Sequence, residues 1–422
     1  MNFHPAIQRG IRDMGFIDAT PIQRDSIPPA LEGRDVLACA MTGSGKTAAF
    51  VLPMLQSMAD TRSRRTRVLI LTPTRELASQ IHEHIEVLAH HTPLRSATVF
   101  GGVKPAKQER ALKAGVDIVV ATPGRLLDLM QHPWANFNDL EFLVLDEGDR
   151  MLDMGFLPDV RRILARLPKQ RQTMLFSATL PRPIVKLSRD FLSNPVRIDV
   201  ERQSKPAVGI TQAILPVPEH LKTNLLKEML GNGMVETALV FTRTKHRANR
   251  LWQKLDRAGI ACERIHGNRS QPQREKALAA FKHGKIRILV ATDIAARGID
   301  VEALPHVINF DVPVQPEDYI HRVGRTARAG KVGDALTFAA PAEQSKVNAI
   351  ERAVGRRLEK RRIDGFDYTA QAQGRFEVPV GERIAAHRKR RAQDRPTGSA
   401  AGRPGSPPHG RRSRNRRRQA AR

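Results

Sequence analysis

A chain of 422 residues that is 41% hydrophobic is long enough to fill two separate cores, and its net charge of +27 calls for a polyanionic partner. Two cysteines, Cys39 and Cys262, exclude a disulfide framework and point to a reducing cytoplasm. No apolar run approaches the roughly 20 residues that span a bilayer, and residues 1–17 mix charges throughout, with no signal-peptide core.

Residues 1–14 predict a helix with Ile7 and Ile11 on one face. The segment Gly15-Phe16-Ile17-Asp18-Ala19-Thr20-Pro21-Ile22-Gln23 follows. Thr20-Pro21 suits a helix start, as cap and first helical residue. The same segment offers an aromatic face and an amide, the groups that stack on adenine and pair with its N6 and N7. What comes next favours the second use. Residues 36–39 read as a buried strand and 48–58 as a helix, with Ala40-Met41-Thr42-Gly43-Ser44-Gly45-Lys46-Thr47 between them. A glycine-rich turn opening a helix aims successive N–H groups at a polyphosphate. Lys46 would reach the β- and γ-phosphates, and the Thr47 hydroxyl would ligate Mg2+. Ala40 stands where the general phosphate-loop pattern has Gly. A plain Gly/Ser turn would not need Gly-Lys-Thr between strand and helix.

Strands predicted at 68–71, 97–100 and 118–121 end in Pro73-Thr74-Arg75-Glu76, Gly101-Gly102 and Thr122-Pro123-Gly124-Arg125. In a parallel sheet such ends share the ligand-binding edge. Each would be an ordinary loop alone; their repetition predicts a track for a phosphate backbone. Residues 142–145 form an apolar strand running into Asp146-Glu147-Gly148-Asp149. One acid there can hold Mg2+ while its neighbour orients or deprotonates a water. Strand 173–176 ends in Ser177-Ala178-Thr179, whose hydroxyls can bridge strand ends.

Apolar periodicity lapses near residues 201–209, and a second strand–helix alternation follows, with strands at 211–215, 238–241, 262–265, 288–291, 307–309 and 335–338. This half has no Gly-Lys-Thr and should not bind a triphosphate unaided. It carries His266-Gly267, Gln271, Arg274, Ala291-Thr292-Asp293 and Arg297-Gly298-Ile299-Asp300, then His321-Arg322-Val323-Gly324-Arg325-Thr326-Ala327-Arg328. Arginines spaced by three can reach a phosphate held by another domain; judged alone, they would form a solvated basic helix. From Gly381 onward the chain has one Ile and no Leu, Val, Phe, Trp or Tyr. It cannot offset chain entropy by burial and should be disordered. Residues 381–422 hold 14 Lys/Arg against 2 acids, and the other 380 residues hold 56 against 41.

In this order the motifs resemble those of the DEAD-box ATP-dependent RNA helicases of superfamily 2, across about residues 3–340. Residues 118–129 and 142–156, with Thr242-Arg243-Thr244-Lys245-His246 and His266-Gly267-Asn268, look closest to the bacterial RhlE-type branch. The resemblance implies an α/β chain of two tandem RecA-like domains with parallel sheets, at 1–203 and 211–366, joined by a linker at 204–210. A disordered Arg-rich tail at 367–422 follows. It implies ATP and Mg2+ as ligands and RNA as partner, held with little sequence preference. Ribosome-assembly or RNA-decay proteins are further partners at family level; no membrane is involved. Phe16 and Gln23 would read adenine, while Thr42, Gly43, Ser44, Gly45, Lys46 and Thr47 would hold phosphates. Thr47 and, through water, Asp146 would hold Mg2+, and Glu147 would be the general base. Asp149, Ser177, Thr179 and His321 would couple hydrolysis to RNA. Asp300 would touch the ribose, and Arg325 and Arg328 would be arginine fingers. Thr74, Arg75, Gly102, Thr122, Arg125, Arg274 and Thr292 would hold RNA.

Three departures stand out. Gly148 replaces the Ala of the family name, and Ala327 replaces a usual Gly. The aromatic usually found well upstream of Gly15 would fall before Met1. The implied function is an RNA-stimulated ATPase that locally unwinds short duplexes. The alternatives are a non-catalytic ATP-gated RNA clamp, opposed by intact Lys46, Glu147 and Arg325, and a DNA helicase, opposed by Ser177-Ala178-Thr179 and the adenine segment. Truncation after Val380 should weaken RNA binding and flatten its salt dependence, because the tail's charge acts through counterion release. RNA-saturated ATPase should stay largely intact, which titrations of both forms across a salt series would check.

Overall fold

The computed structural model describes residues 2–41, 43–61, 63–200, 210–296, 301, 304–326 and 333–371. Two parallel sheets organise them. The first holds β1 (Val36–Cys39), β2 (Val68–Leu71), β3 (Ser96–Val99), β4 (Ile118–Ala121), β5 (Phe142–Asp146), β6 (Gln172–Ser177) and β7 (Val196–Asp199). Their spatial order is β3-β4-β2-β5-β6-β1-β7, with every pair parallel. Strands β2, β4, β5 and β6 are buried along their whole length. That follows from sequence: continuous apolar runs suit a sheet covered by helices on both faces. Ile70, Val144 and Phe176 join Phe50 in the core on one face. Leu71, Leu145 and Leu175 pack with Leu126, Ile163 and Ile184 on the other.

The second sheet holds β8 (Ile210–Pro216), β9 (Ala238–Phe241), β10 (Cys262–Ile265), β11 (Ile288–Ala291), β12 (His306–Asn309), β13 (Gly333–Ala339) and β14 (Glu359–Lys360). Its order is β10-β11-β9-β12-β13-β8-β14. Position by position this repeats the first sheet, with β8 where β1 stands and β13 where β6 stands. The repeat differs at one functional place. After β1 comes the glycine loop and the helix Lys46–Met58, whereas after β8 comes a short turn, Glu219–Leu221.

Twelve of these strands overlap the expected ones, and the two additional strands, β7 and β14, both lie at sheet edges. β7 reads Val-Arg-Ile-Asp, and β14 is Glu-Lys paired with β8 through Ala213 and Ile214. An edge strand with charged residues carries almost no hydrophobic signal. β8 begins at Ile210, inside the segment expected as linker, because Ile210 pairs with Gly333. Residues 367–371 pack on the second lobe: the Tyr368 hydroxyl accepts the Ile363 N–H at 2.9 Å, and His220 Nε2 lies 3.1 Å from the Ala370 carbonyl. Positions 204–209 and 372–422 lie outside the described residues. No described helix is long and apolar enough to cross a membrane.

The second lobe holds a buried charge cluster. Lys222, fully buried, lies 2.6 Å from Glu343 and 3.2 Å from Glu219. Arg247 bonds both Glu219 and Asp311. Burial would lower the Arg247 guanidinium, but Asp311 and Glu219 outweigh it and raise it above its ordinary value. The three carboxylates are close enough to suggest a metal site, yet three cations balance them, Lys222, Arg247 and Arg243, the last 2.6 Å from Glu343, so the cluster is an internal ion-pair lock. Removing one partner strands the others. Lys222→Ala should therefore cost about 3–5 kcal/mol of stability, checked as the shift in urea midpoint. A cost below about 1 kcal/mol would mean that the carboxylates rearrange freely.

Candidate nucleotide and RNA site

Because all strands of the first sheet run one way, their C-terminal ends meet along one edge. Strands β5, β6 and β1 are neighbours there, which brings Asp146, Ser177 and the glycine loop together. Gly43 and Gly45 have φ of +78° and +92°, a left-handed geometry that favours glycine, and Gly45 caps the helix that starts at Lys46. Gly45 also leaves room for its neighbours, since a Cβ would press into Gln23 and Thr20. Ser44 Oγ donates to the Met41 carbonyl at 2.8 Å. Buried Lys46 donates from Nζ to the Ala40 carbonyl at 3.0 Å, and its charge acts on both Asp146 and Asp149. Thr47, one residue on, is half-buried. Thr42 lies outside the described residues, as do Asp300 and Arg328.

Gln23 sits beside this loop on the helix Pro21–Leu31. Its Oε1 accepts the Thr20 N–H at 2.9 Å, and its Nε2 donates to the Gly45 carbonyl at 3.0 Å. The amide thus ties the start of its own helix to the glycine loop, and Phe16 is exposed at 37%.

The acids at the end of β5 are all buried. Asp146 Oδ1 accepts the Glu147 N–H at 2.9 Å. Burial pushes the Asp146 carboxyl up to about 6, with Lys46 pulling it down and Glu147 pushing it further up. Glu147 has φ 55° and ψ 51°, a left-handed conformation uncommon for a residue with a side chain. Both its carboxylate oxygens accept from Arg150 Nη1, at 2.9 and 2.8 Å, in a pair that is almost fully buried. Asp149 N–H donates to Ser177 Oγ at 3.0 Å, and Ser177 Oγ donates to the Thr179 carbonyl at 2.7 Å. Thr179 returns two bonds to Asp149 Oδ2, from its N–H at 2.8 Å and its hydroxyl at 2.9 Å. Burial alone would raise the Asp149 carboxyl, but Lys46, Thr179, His321 and Ser177 together hold it below its ordinary value.

His321 belongs to the second lobe, on the helix Pro316–Val323. That helix closes over the acids. Arg150, Phe241, Asp293, His321, Arg322 and Arg325 line a space of about 10 Å³. Arg322 is anchored by Asp293 at 2.6 and 2.7 Å and by Asn309 at 3.0 Å. Arg325 is buried beside it.

The remaining strand ends form the other half of the edge. Thr74 caps the helix Arg75–Leu88 by accepting the Leu77 N–H at 3.3 Å. Arg75 lies against Gly102, whose φ is +77°, and a Cβ on that glycine would fall inside the guanidinium. Thr122 is buried at the cap of the helix Pro123–Leu129. Arg125 donates to the Val103 carbonyl at 3.4 Å and to Gln108 Oε1 at 3.2 Å. Across from them Arg274 lies 3.0 Å from Glu76 and donates to the Ala295 carbonyl at 3.3 Å. Burial lowers Arg274, Glu76 raises it and Arg75 lowers it again. Thr292, after β11, is buried. Arg150 and Glu76 were not singled out in the sequence. The signal for Arg150 was its position three residues after Glu147, one helical turn away.

The sequence profile of the DEAD/DEAH box helicases matches residues 20–187, and that of the helicase conserved C-terminal domain matches residues 221–330. The chain is 43% identical over 361 residues to the ATP-dependent RNA helicase CshA of Listeria monocytogenes, covering 86% of this chain and 69% of the relative. It is 40% identical over 377 residues to CshA of Bacillus subtilis, covering 89% and 76%. Yeast (S. cerevisiae) Dbp5 bound to RNA and ADP BeF3 superposes with a TM-score of 0.77 at 30% identity, over 86% of this chain and 94% of that one. Mss116p bound to ssRNA and AMP-PNP gives a TM-score of 0.77 at 29% identity, over 86% and 78%. The two parallel sheets are thus a pair of RecA-like domains, and the chain belongs to the DEAD-box family of ATP-dependent RNA helicases.

Proposed function

We propose that this chain is an RNA-stimulated ATPase that closes its two lobes on ATP and single-stranded RNA, unwinding short duplexes or remodelling RNA–protein complexes locally. The observation that carries this reading is the meeting of the two lobes at the acids of the first: His321 acts on Asp149, and Arg325 shares a small space with Arg150, the partner of Glu147. Such a site is complete only when the lobes are together. The domain limits are proposed at 1–203 and 211–366, the second widened by Ile210 in β8 and by residues 367–371 packed on that lobe. The lobes would work in a cytoplasm, and the RhlE-type branch rests on the motif text alone, beside relatives that carry the name CshA.

Hydrolysis divides among the chain's own groups. Gly43, Ser44 and Gly45, with Thr42, offer backbone N–H groups, and Lys46 releases the Ala40 carbonyl to bind phosphate. Glu147 takes the proton of the attacking water, in an orientation fixed by Arg150. Arg325, with Arg328, stabilises charge growing on the transferred phosphoryl group. Asp149, Ser177 and Thr179 transmit closure between the strand ends. The donors fit Mg2+: a hydroxyl and a buried carboxylate are hard oxygen ligands, and a cation would stabilise the ionised form of Asp146. When bound by Thr47 and, through water, by Asp146, Mg2+ neutralises charge on the β- and γ-phosphates. Phe16 and Gln23 select adenine, and Asp300 holds the ribose. Thr74, Arg75, Gly102, Thr122, Arg125, Arg274 and Thr292 hold RNA phosphates and sugars. Partners in ribosome assembly or RNA decay follow at family level.

Arg325→Ala should abolish RNA-stimulated hydrolysis while leaving RNA binding without nucleotide nearly unchanged, in parallel ATPase and binding assays. Retention of most activity would reassign Arg325, and equal turnover of GTP and ATP would remove the adenine role of Phe16 and Gln23. Glycine at 148 is compatible with activity. A Cβ there would meet Leu175 at 3.6 Å and Ile184 at 3.7 Å, ordinary contact distances. Gly148→Ala should therefore stabilise the first lobe by roughly 0.5–1 kcal/mol and change turnover by less than about tenfold. An inert parent beside an active alanine variant would favour the non-catalytic clamp.

A further inference from the structure

At the far edge of the second sheet, the helix Gln344–Val354 and β14 enclose an open groove of about 1170 Å³. The helix turns Val347 and Ile350 into the core, which leaves Gln344, Ser345 and Asn348 on the groove side. Arg352, Arg356, Arg357 and Lys360, all of them exposed, and the carboxylate of Glu351 supply the charged part of the lining. The nearby acids have partners of their own. Glu351 Oε1 accepts the Leu358 N–H at 2.9 Å, and Glu359 pairs with Arg361 at 2.7 Å. The four groove cations make no ion pair among the described residues. Four cations against the single carboxylate of Glu351 leave the groove with a net positive potential that an anion relieves.

We infer that this groove docks the phosphate backbone of RNA lying outside the strand-end track. The inference rests on the proposed RNA clamp and extends its footprint. β14 and β10 are the two edges of the second sheet, six strand spacings apart, or about 29 Å at roughly 4.8 Å each. RNA held near Arg274, beyond the end of β10, must therefore run on by several nucleotides or a duplex turn to reach the groove. The lining suits phosphates: guanidinium and ammonium groups supply charge, and amide and hydroxyl groups supply donors that position a backbone without reading bases. The chain's own tail is no candidate, because residues 381–422 carry 14 cations against 2 acids and would be repelled.

The test uses the full chain with Arg352→Gln, Arg356→Gln, Arg357→Gln and Lys360→Gln combined. A single strand of about six nucleotides, enough for the clamp alone, should bind parent and variant equally; one of about thirty should bind the variant at least tenfold more weakly at about 0.1 M salt. The slope of log affinity against log salt should become shallower by about 2–3, the value for four lost phosphate contacts on single strands. RNA-saturated ATPase should stay within twofold of the parent's. Equal affinity and slope for the long RNA would overturn the inference. So would preferential capture of poly-glutamate by the parent, which would mark the groove as a site for acidic protein. If the variant does not fold, Ser345→Cys carrying a photocrosslinker decides instead: capture of the long RNA supports the groove, and no capture rejects it. A parent that binds no RNA at all would remove the clamp reading as well, and so separates the two failures.

Discussion

The carboxylate of Asp149 is the constraint on which the rest of the site depends. It ties the end of β5 to the end of β6 through Ser177 and Thr179, and it faces His321 from the other lobe. Loss of the Ser177 hydroxyl would leave the buried Asp149 N–H unpaired, at roughly 1–3 kcal/mol. Asp146 lies three residues away under similar burial, yet its carboxyl is pushed up to about 6 while Asp149 is held down. The neighbours differ: Asp149 has hydroxyl and amide donors and His321 beside it, whereas Asp146 has one backbone N–H and the like charge of Glu147. Neighbouring acids are thus pushed in opposite directions by their surroundings.

Between these two acids the chain must turn sharply. Glu147 does so in a left-handed conformation, which costs of order 1–3 kcal/mol and persists only where the surroundings over-determine it. Its surroundings do. Arg150 grips both carboxylate oxygens, and the Glu147 carbonyl accepts the Met151 N–H at 3.0 Å. Gly148 then opens the next helix without adding bulk.

Much of this was legible in the sequence, because parallel α/β folds write their cores as apolar runs and their sites as polar strand ends. Val68–Leu71, Ile118–Ala121 and Val36–Cys39 matched to the residue, while the helix after the glycine loop starts at Lys46, two residues earlier than expected. What was hidden had physical causes. β14 is two charged residues on an edge, and β7 has one apolar residue in two. Arg150 carries no apolar signal of its own, and its guanidinium is buried in an ion pair with Glu147. Glu76 looked like part of a helix start, and only the approach of the second lobe brings Arg274 to it.

The strand order also governs when the site can exist during synthesis. β1 sits between β6 and β7, so Val36 must wait for Met174, and the Ala40 N–H for the Ser177 carbonyl. A nascent chain that has finished the glycine loop therefore exposes an apolar strand with no neighbour for on the order of ten seconds at ordinary translation rates. The nearby strands β2 and β4 cannot rescue it, because neither pairs with β1. The nucleotide pocket thus belongs to the last contacts formed in its lobe, and the ribosome-bound intermediate is the stage most exposed to aggregation.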